Sequence, residues 1–174
     1  MNGETLTLVR PSEEYLDQIE GFRREMLDTA SRMDGCGPLR RVKSPEGFVE
    51  YCRAAERGEF PRADMVPATQ FLFVREPDGI IVGMLQVRHL LNARLAACGG
   101  HIGYCVRPSE RRKGYATAML AAALPYCRAL GIDPVVIFTA NEASARVVRA
   151  NGGVKTGDAA DGDIALERFE IHLG

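Results

Sequence analysis

A chain of 174 residues is long enough to bury one hydrophobic core and too short for two ordinary domains, so a single domain over residues 1–174 is expected. Hydrophobic residues make up 46% and charged residues 26% of the chain, which is typical of a soluble globular protein, and no apolar run approaches the ~20 residues of a membrane span. The formal net charge of -1 excludes the broad positive surface of many proteins that bind nucleic acids or anionic membranes. Any basic site is therefore local.

The first residues and the cysteines indicate a cytoplasmic protein with reduced thiols. Polar and apolar residues are mixed after Met1, without the basic and apolar regions of an export signal. The five cysteines have no C-x-x-C spacing, which argues against a disulfide framework and a zinc site. The histidines, His89, His101 and His172, also lack metal-ligand spacing, so no metal is expected.

Alternating polarity, helical spacing and turn residues predict the elements of the first half of the chain. A serine followed by Pro45 and an acidic residue is typical of a helix start, because proline fits the first helical position. Pro77-Asp78-Gly79 between two β-rich runs is typical of a hairpin. In chain order we predict a strand at 5–9, a helix from a Ser12 cap to 31, a helix from a Ser44 cap, and strands at 70–75 and 80–89.

The second half of the chain alternates strands and helices. Pro108 ends a strand because proline cannot donate to a continuing ladder, and Gly131 ends the next helix as a left-handed cap. Pro125 inside that helix is expected to kink it. The predicted elements are a strand at 101–107, a helix at about 116–130, a strand at 135–138, a helix at 141–151, and strands at 154–156 and 165–172. This order predicts a mixed sheet covered by helices.

The stretch 99–120, GGHIGYCVRPSERRKGYATAML, carries the chemical signal. A strand ends at Pro108 and a short basic turn leads into a helix, so successive backbone N–H groups at the helix start point towards one place. Gly114 and Ala116 have small side chains that let the backbone approach an anion. Three basic side chains add positive charge to the turn: Arg111, Arg112 and Lys113. The stretch therefore predicts a phosphate site.

The spacing Arg111-x-x-Gly114-x-Ala116 resembles the Q/R-x-x-G-x-G/A pyrophosphate motif of the GNAT superfamily of N-acetyltransferases. The resemblance covers about residues 80–154. The sequence of the stretch 99–120 is similar to that of a bacterial branch described only as predicted acetyltransferases. It implies a single GNAT-like α/β (mixed α+β) domain with a central mixed, mostly antiparallel sheet of six to seven strands flanked by about four helices. It also implies acetyl-CoA as the co-substrate.

The resemblance further implies roles for residues around the cofactor. The backbone of Val106 is expected to pair with the pantetheine arm, and its N–H to polarise the thioester carbonyl, since a fixed donor stabilises a developing oxyanion. Asn141 is expected either beside the cofactor arm or as a helix cap. The implied cofactor-binding residues are Val106, Arg111, Arg112, Lys113, Gly114, Tyr115, Ala116, Thr117, Asn141 and Ser144.

The sequence offers several proton-transfer groups. The amine must attack in its neutral form, and with reference pKa values near ~10.4 for a lysine-like amine and ~8.5 for a thiol, one positioned base is sufficient. His101, His89 and Tyr104 are the candidates, because they lie on the strands expected near the thioester. Many family members carry a tyrosine acid on the helix after Asn141, where this chain has Val148. That departure leaves direct release of the thiolate as an alternative.

The acceptor is expected to bind among three irregular segments, 32–43, 58–67 and 90–100. They contain Arg40, Arg41 and Arg94, which can hold a carboxylate or phosphate. The length and irregularity of the three segments favour a pocket for a small molecule over an open groove for a peptide. The expected reaction is acetylation of a primary amine by direct transfer in a ternary complex.

Two other functions are compatible with parts of the sequence. A non-catalytic acetyl-CoA sensor would need the same cofactor grip, and it is the alternative to an acyltransferase. A cysteine hydrolase built on Cys105 and His101 lacks an orienting group and a nucleophile elbow. Acetyl-CoA and the amine are the expected partners, without nucleic acid or membrane, and the chain is either a monomer or a homodimer paired through its late strands.

Overall fold

The computed structural model describes residues 4–60 and 62–174, and its elements follow the predicted order. Over these residues the structure has seven strands and four α-helices, which confirms the predicted mixed α/β class with six to seven strands and about four helices. Among the described residues, none of the helices combines the length and apolar composition of a membrane span. The elements are β1 Thr5–Val9, α1 Leu16–Asp28, α2 Pro45–Glu56, β2 Ala68–Glu76, β3 Ile80–Arg88, β4 Ile102–Val106, α3 Tyr115–Ala129, β5 Val135–Thr139, α4 Glu142–Ala150, β6 Val154–Asp161 and β7 Ile164–Ile171.

Most helix ends lie where the local sequence predicts them. Ser44 caps α2 by accepting a hydrogen bond from the Gly47 N–H at 3.2 Å. Gly131 has a φ of 73°, a conformation that glycine adopts without steric cost, and it follows α3 directly after Leu130. The prediction for Ser12 was wrong, because Ser12 makes no side-chain cap bond. A short 3-10 turn follows it, and α1 begins only at Leu16.

The seven strands form two antiparallel sheets instead of one continuous sheet. Four strands are ordered β1-β2-β3-β4, and three are ordered β5-β7-β6. The sheets meet where the His101 N–H donates to the Val136 carbonyl at 2.7 Å and the His101 Nδ1 accepts from the Val136 N–H at 3.0 Å. No ladder continues between β4 and β5 beyond this point. The two strands therefore leave room for a cleft.

Both faces of the first sheet are buried, which explains the long apolar runs of β2 and β3. Along β2, Phe71 and Phe73 pack into the cluster that contains α3, α4 and β7. The alternate residues Leu72 and Val74 pack into the cluster that contains α1 and α2. Helices thus cover both faces of this sheet, which has β4 at one edge.

The segment 32–43 lies directly on β4. A Cβ atom on Gly35 would stand 2.0 Å from the Gly103 carbonyl oxygen, and one on Gly103 would stand 2.9 Å from the Gly35 nitrogen. The Gln70 Nε2 also donates to the Gly35 carbonyl at 2.8 Å. These contacts hold the segment against the strand as one wall of the site described below.

Replacing Gly35 by alanine is expected to lower the free energy of unfolding by more than about 2 kcal/mol. The added methyl group would overlap the Gly103 backbone, and the φ of +73° favours glycine. Gly58→Ala is the matched control, because Gly58 has a φ of +72° and its new methyl carbon would stand 3.5 Å from the nearest atom, on Pro67. Denaturant unfolding of both variants measures the difference, and equal losses would contradict the close packing.

Candidate active site

β4 turns its backbone polar groups alternately towards β3 and towards an open edge. The Arg107 N–H donates to the Val82 carbonyl at 3.0 Å. Because backbone groups alternate along an antiparallel strand, the N–H and C=O groups of Arg107 and of every second residue before it point towards β3. The N–H and C=O groups of Tyr104 and Val106 therefore point away from β3. In agreement, the Val106 carbonyl accepts a hydrogen bond at 3.0 Å from the Arg111 Nε, outside the sheet. The open edge of β4 offers backbone groups to an added strand.

The turn after β4 brings the start of α3 to the same region. Arg112 and Gly114 have φ values of 64° and 84°, and α3 begins at Tyr115. The first-turn N–H groups of such a helix have no partner within the helix and carry partial positive charge. Apart from its chain neighbours, no described residue has an atom within 4 Å of a Cβ built on Gly114, so the approach to these groups is open. The turn has the geometry of an anion site.

The basic side chains of the turn are not equivalent. The Arg111 guanidinium donates to the Val106 carbonyl and, at 3.1 Å, to the Ser31 hydroxyl, so it ties the turn to β4 and to the end of the α1 region. Arg112 is exposed, and its side chain makes no hydrogen bond or ion pair within the described residues. Arg112 is thus the cation of the turn that stays available to a ligand.

Lys113 belongs to a network on the outer side of the turn. Its Nζ lies 2.8 Å from Glu110 Oε2, which also accepts from Arg75 at 2.9 Å. Arg75 donates in addition to the Tyr115 hydroxyl at 3.1 Å, and that hydroxyl donates to Glu4 at 2.8 Å. The side chains of Lys113 and Tyr115 therefore hold the turn in place, and any contact of Tyr115 with a ligand is through its backbone.

A cleft of about 570 Å³, which we name the loop cleft, lies between β4, the basic turn and α4. It brings together all the predicted cofactor residues except Lys113: Val106, Arg111, Arg112, Gly114, Tyr115, Ala116, Thr117, Asn141 and Ser144. Within this set, Asn141 caps α4, because its Oδ1 accepts from the Ser144 N–H at 2.9 Å. The cap leaves the amide nitrogen of its side chain without a hydrogen-bond partner among the described residues.

A second cavity of about 370 Å³, which we name the inner cavity, adjoins the loop cleft. The two share five lining residues: Arg32, Asp34, Tyr104, Asn141 and Ser144. Segments 32–43 and 90–100 both contribute to the inner cavity, while segment 58–67 lines a further groove of about 480 Å³, the outer groove. Of the three arginines predicted near the acceptor, Arg94 lines the inner cavity, whereas Arg40 and Arg41 lie outside it.

Tyr104 stands at the junction of the loop cleft and the inner cavity. Its hydroxyl lies 2.7 Å from Ser144 Oγ and donates to the Ser144 carbonyl at 3.2 Å. Burial raises the pKa of Tyr104 to about 12, so the hydroxyl keeps its proton at neutral pH. Among the predicted proton-transfer groups, this is the one that reaches the site.

The structure does not bring His101 or His89 to either cavity. His101 accepts from the Val136 N–H where the sheets meet, and burial lowers its pKa. The His89 Nε2 lies 2.8 Å from the Thr69 hydroxyl, and burial lowers its pKa as well. Strand alternation could not reveal this, because it does not show where the two sheets separate.

Asp34 and Arg88 line the site and Cys36 contacts one of its lining residues, and the sequence did not single out any of the three. Asp34 lines both cavities and is the only acidic residue of segment 32–43, which was the available signal. Cys36 is fully buried, and its Sγ lies 3.2 Å from the Sγ of Cys105, which lines the loop cleft. No three His, Cys, Asp or Glu side chains of the described ranges group as a metal site.

The sequence-family model of the acetyltransferase (GNAT) domain matches residues 5–154 of the chain. The chain belongs to the GNAT acetyltransferase family. The predicted enzyme class, an acyl-CoA-dependent N-acetyltransferase, is thereby confirmed. A comparison with curated proteins gave no significant match.

Solved structures of GNAT acetyltransferases share the fold over nearly the whole chain. The microcin C7 self-immunity acetyltransferase MccE, solved with acetyl-CoA and AMP, has a TM-score of 0.70 at 16% identity, covering 99% of this chain and 94% of that one. The ribosomal-protein-S5-alanine acetyltransferase of Vibrio fischeri gives 0.67 at 16%, covering 99% and 94%. RimJ of Mycobacterium smegmatis, solved with CoA-disulfide, gives 0.67 at 20%, covering 97% and 82%. At such identities the likeness shows the GNAT fold alone.

Proposed function

We propose that this GNAT protein acetylates the primary amine of a small molecule by direct transfer from acetyl-CoA in a ternary complex. One observation carries the proposal: the outward backbone groups of β4 and the N-terminus of α3 face the same cleft, and a second cavity adjoins it at Tyr104. One space suits the cofactor and the other suits an acceptor.

The cofactor is proposed to lie in the loop cleft. The backbone N–H groups of residues 112–117 would receive the pyrophosphate, because the Arg111 N–H donates to the Pro108 carbonyl, and Arg112 would add charge from the solvent side. The outward groups of Tyr104 and Val106 would pair with the pantetheine arm as an added strand. The amide of Asn141 and the hydroxyl of Ser144 line the same cleft from α4.

Fixed donors of this chain would stabilise the charges that form during transfer. The Val106 N–H would polarise the thioester carbonyl, which acetyl-CoA supplies together with the acetyl group. The Tyr104 hydroxyl would donate a hydrogen bond to the departing sulfur. With a pKa of about 12 against ~8.5 for a thiol, Tyr104 would stabilise the thiolate without giving up its proton completely.

The acceptor amine is proposed to enter through the inner cavity. Its volume of about 370 Å³ lies within the range of small-molecule sites, and segment 32–43 covers β4 on this side. Asp34 lies at the boundary of the two cavities, where a carboxylate attracts an ammonium group and can accept its proton through water.

The test is titration with acetyl-CoA followed by CoA-release assays on a panel of amines. Direct transfer predicts initial-rate plots that intersect when both substrates are varied, with activity retained in Cys105→Ala. Parallel plots together with a dead Cys105→Ala variant would instead indicate an acetylated Cys105. Acetyl-CoA binding without turnover on any amine or peptide would favour the sensor function, and turnover on peptides alone would contradict the small-molecule acceptor.

A further inference from the structure

The inner cavity carries more positive charge than its own carboxylates neutralise. Arg32, Arg88 and Arg94 line it together with Asp34 and Asp161. Arg32 and Asp34 form an ion pair at 3.2 Å, so their two charges balance each other. Arg88, Arg94 and Asp161 remain, and none of them forms an ion pair within the part of the chain that the structure describes, so two cations stand against one carboxylate. An excess of unpaired cations in a cavity points to an anionic ligand.

Arg88 is held in position by the backbone beside the cavity. Its NH1 group donates to the Gly99 carbonyl at 2.8 Å and to the Gly100 carbonyl at 3.0 Å. The NH2 group makes no hydrogen bond to any described residue. Burial lowers the pKa of Arg88, and the Asp34 carboxylate offsets that effect in part. A guanidinium fixed at one nitrogen with its other donors free is prepared to bind an oxyanion.

The shared walls of the cavities give the ligand a direction. Asp34 and Tyr104 belong to both the loop cleft and the inner cavity, so they mark the end nearest the thioester. Arg88 and Arg94 line the inner cavity and the outer groove but not the loop cleft, so they mark the side of the cavity away from the cleft. At the first end the Asp34 charge is balanced by Arg32, so it is the nearness of the thioester that places the amine there. The unpaired guanidinium groups of Arg88 and Arg94 complement an anionic group on the same molecule.

We propose that the acceptor is a small primary amine that also carries an oxyanion, with the amine at the Asp34–Tyr104 end and the oxyanion against Arg88 and Arg94. This inference rests on the proposed function, because it assigns the inner cavity to the acceptor. A carboxylate and a phosphate share the chemistry that the two guanidinium groups recognise.

The test uses matched pairs of amines titrated into the CoA-loaded protein and then assayed for CoA release with acetyl-CoA. Amino acids of increasing chain length are each compared with their amides, and ethanolamine phosphate is compared with ethanolamine, which separates carboxylate from phosphate recognition. The anionic member of at least one pair is expected to bind about 10- to 100-fold more tightly, as two charge-assisted hydrogen bonds would give. Equal or weaker binding of every anionic member would overturn the inference.

Arginine variants connect this preference to the cavity. Arg94→Gln and Arg88→Gln should each reduce the preference about tenfold while acetyl-CoA still binds, and Arg41→Gln, an exposed arginine outside the inner cavity, should leave it unchanged. If Arg88→Gln fails to fold, exposed Arg94 carries the test. A preference that survives in Arg94→Gln overturns the inference. Preferential binding with no turnover of any amine supports the inference and contradicts the proposed function, whereas turnover of neutral amines alone does the reverse.

Discussion

Replacing Gly114 by glutamate is expected to weaken acetyl-CoA binding by at least about 100-fold, or about 2.8 kcal/mol. The new carboxylate would stand at the N-terminus of α3, beside the backbone N–H groups proposed to hold the pyrophosphate, and would repel it. The positive φ of 84° adds strain, but the new Cβ has open space, because no described residue beyond the chain neighbours lies within 4 Å of it. Isothermal titration with acetyl-CoA measures the loss.

Gly131→Glu is the matched control at the other end of the same helix. Gly131 has a φ of 73° and equally open surroundings, so the variant introduces a similar strain and the same charge. It lies outside the loop cleft and is expected to bind acetyl-CoA as the unaltered chain does. Comparable losses in both variants would show that strain in α3, and not charge at the cleft, weakens binding.

Removing the Tyr104 hydroxyl in a Tyr104→Phe variant is expected to lower kcat about 10- to 100-fold with little change in the KM for acetyl-CoA. A hydrogen bond to a charged group is worth about 1.5–3 kcal/mol, and this one would form as the thiolate departs. Tyr126→Phe removes another partly buried tyrosine hydroxyl, bonded to Thr69 outside the cavities, and should leave kcat unchanged. An unchanged kcat in Tyr104→Phe would assign Tyr104 to packing against α4 and leave direct thiolate release.

The pH dependence of the unaltered enzyme tests the same role. Because burial raises the pKa of Tyr104 to about 12, the hydroxyl stays protonated and able to donate below that pH. The free amine is formed as pH rises towards its own pKa, near ~10.4 for a lysine-like amine. We expect kcat/KM to rise with pH and then level off, without a falling limb below about pH 11. A falling limb between pH 8 and 10 would contradict a role for Tyr104 as donor.

Much of the fold could be predicted because its signals are local. Proline and glycine at element ends, the Ser44 cap and the Pro77-Asp78-Gly79 turn each act within a few residues. The basic turn was predictable for the same reason, since a strand end, a glycine and a helix start follow one another in sequence. In the structure, all of the predicted cofactor residues except Lys113 line the loop cleft.

The remaining features depend on contacts between distant segments. The two sheets touch where His101 contacts Val136 and separate beyond that point. The periodicity of the sequence cannot show this, because it does not show which strands are neighbours. In the sequence, Arg88 is an ordinary strand residue. In the structure, segment 90–100 folds back and places the Gly99 and Gly100 carbonyls beside its side chain. Asp34 reached the site because Gly35 packs on β4. Each of these is a tertiary contact with no local pattern in the sequence.

The division of labour among the cations of the basic turn has a consequence for how binding responds to salt. Arg111 and Lys113 are occupied by the Val106 carbonyl and by Glu110, so the turn presents less free charge than its three consecutive cations imply. Mobile ions screen exposed side-chain charges far more than they screen fixed backbone dipoles within a cleft. The affinity for acetyl-CoA should therefore change only slightly between low and high ionic strength, because Arg112 alone among these three side chains is unpaired and exposed.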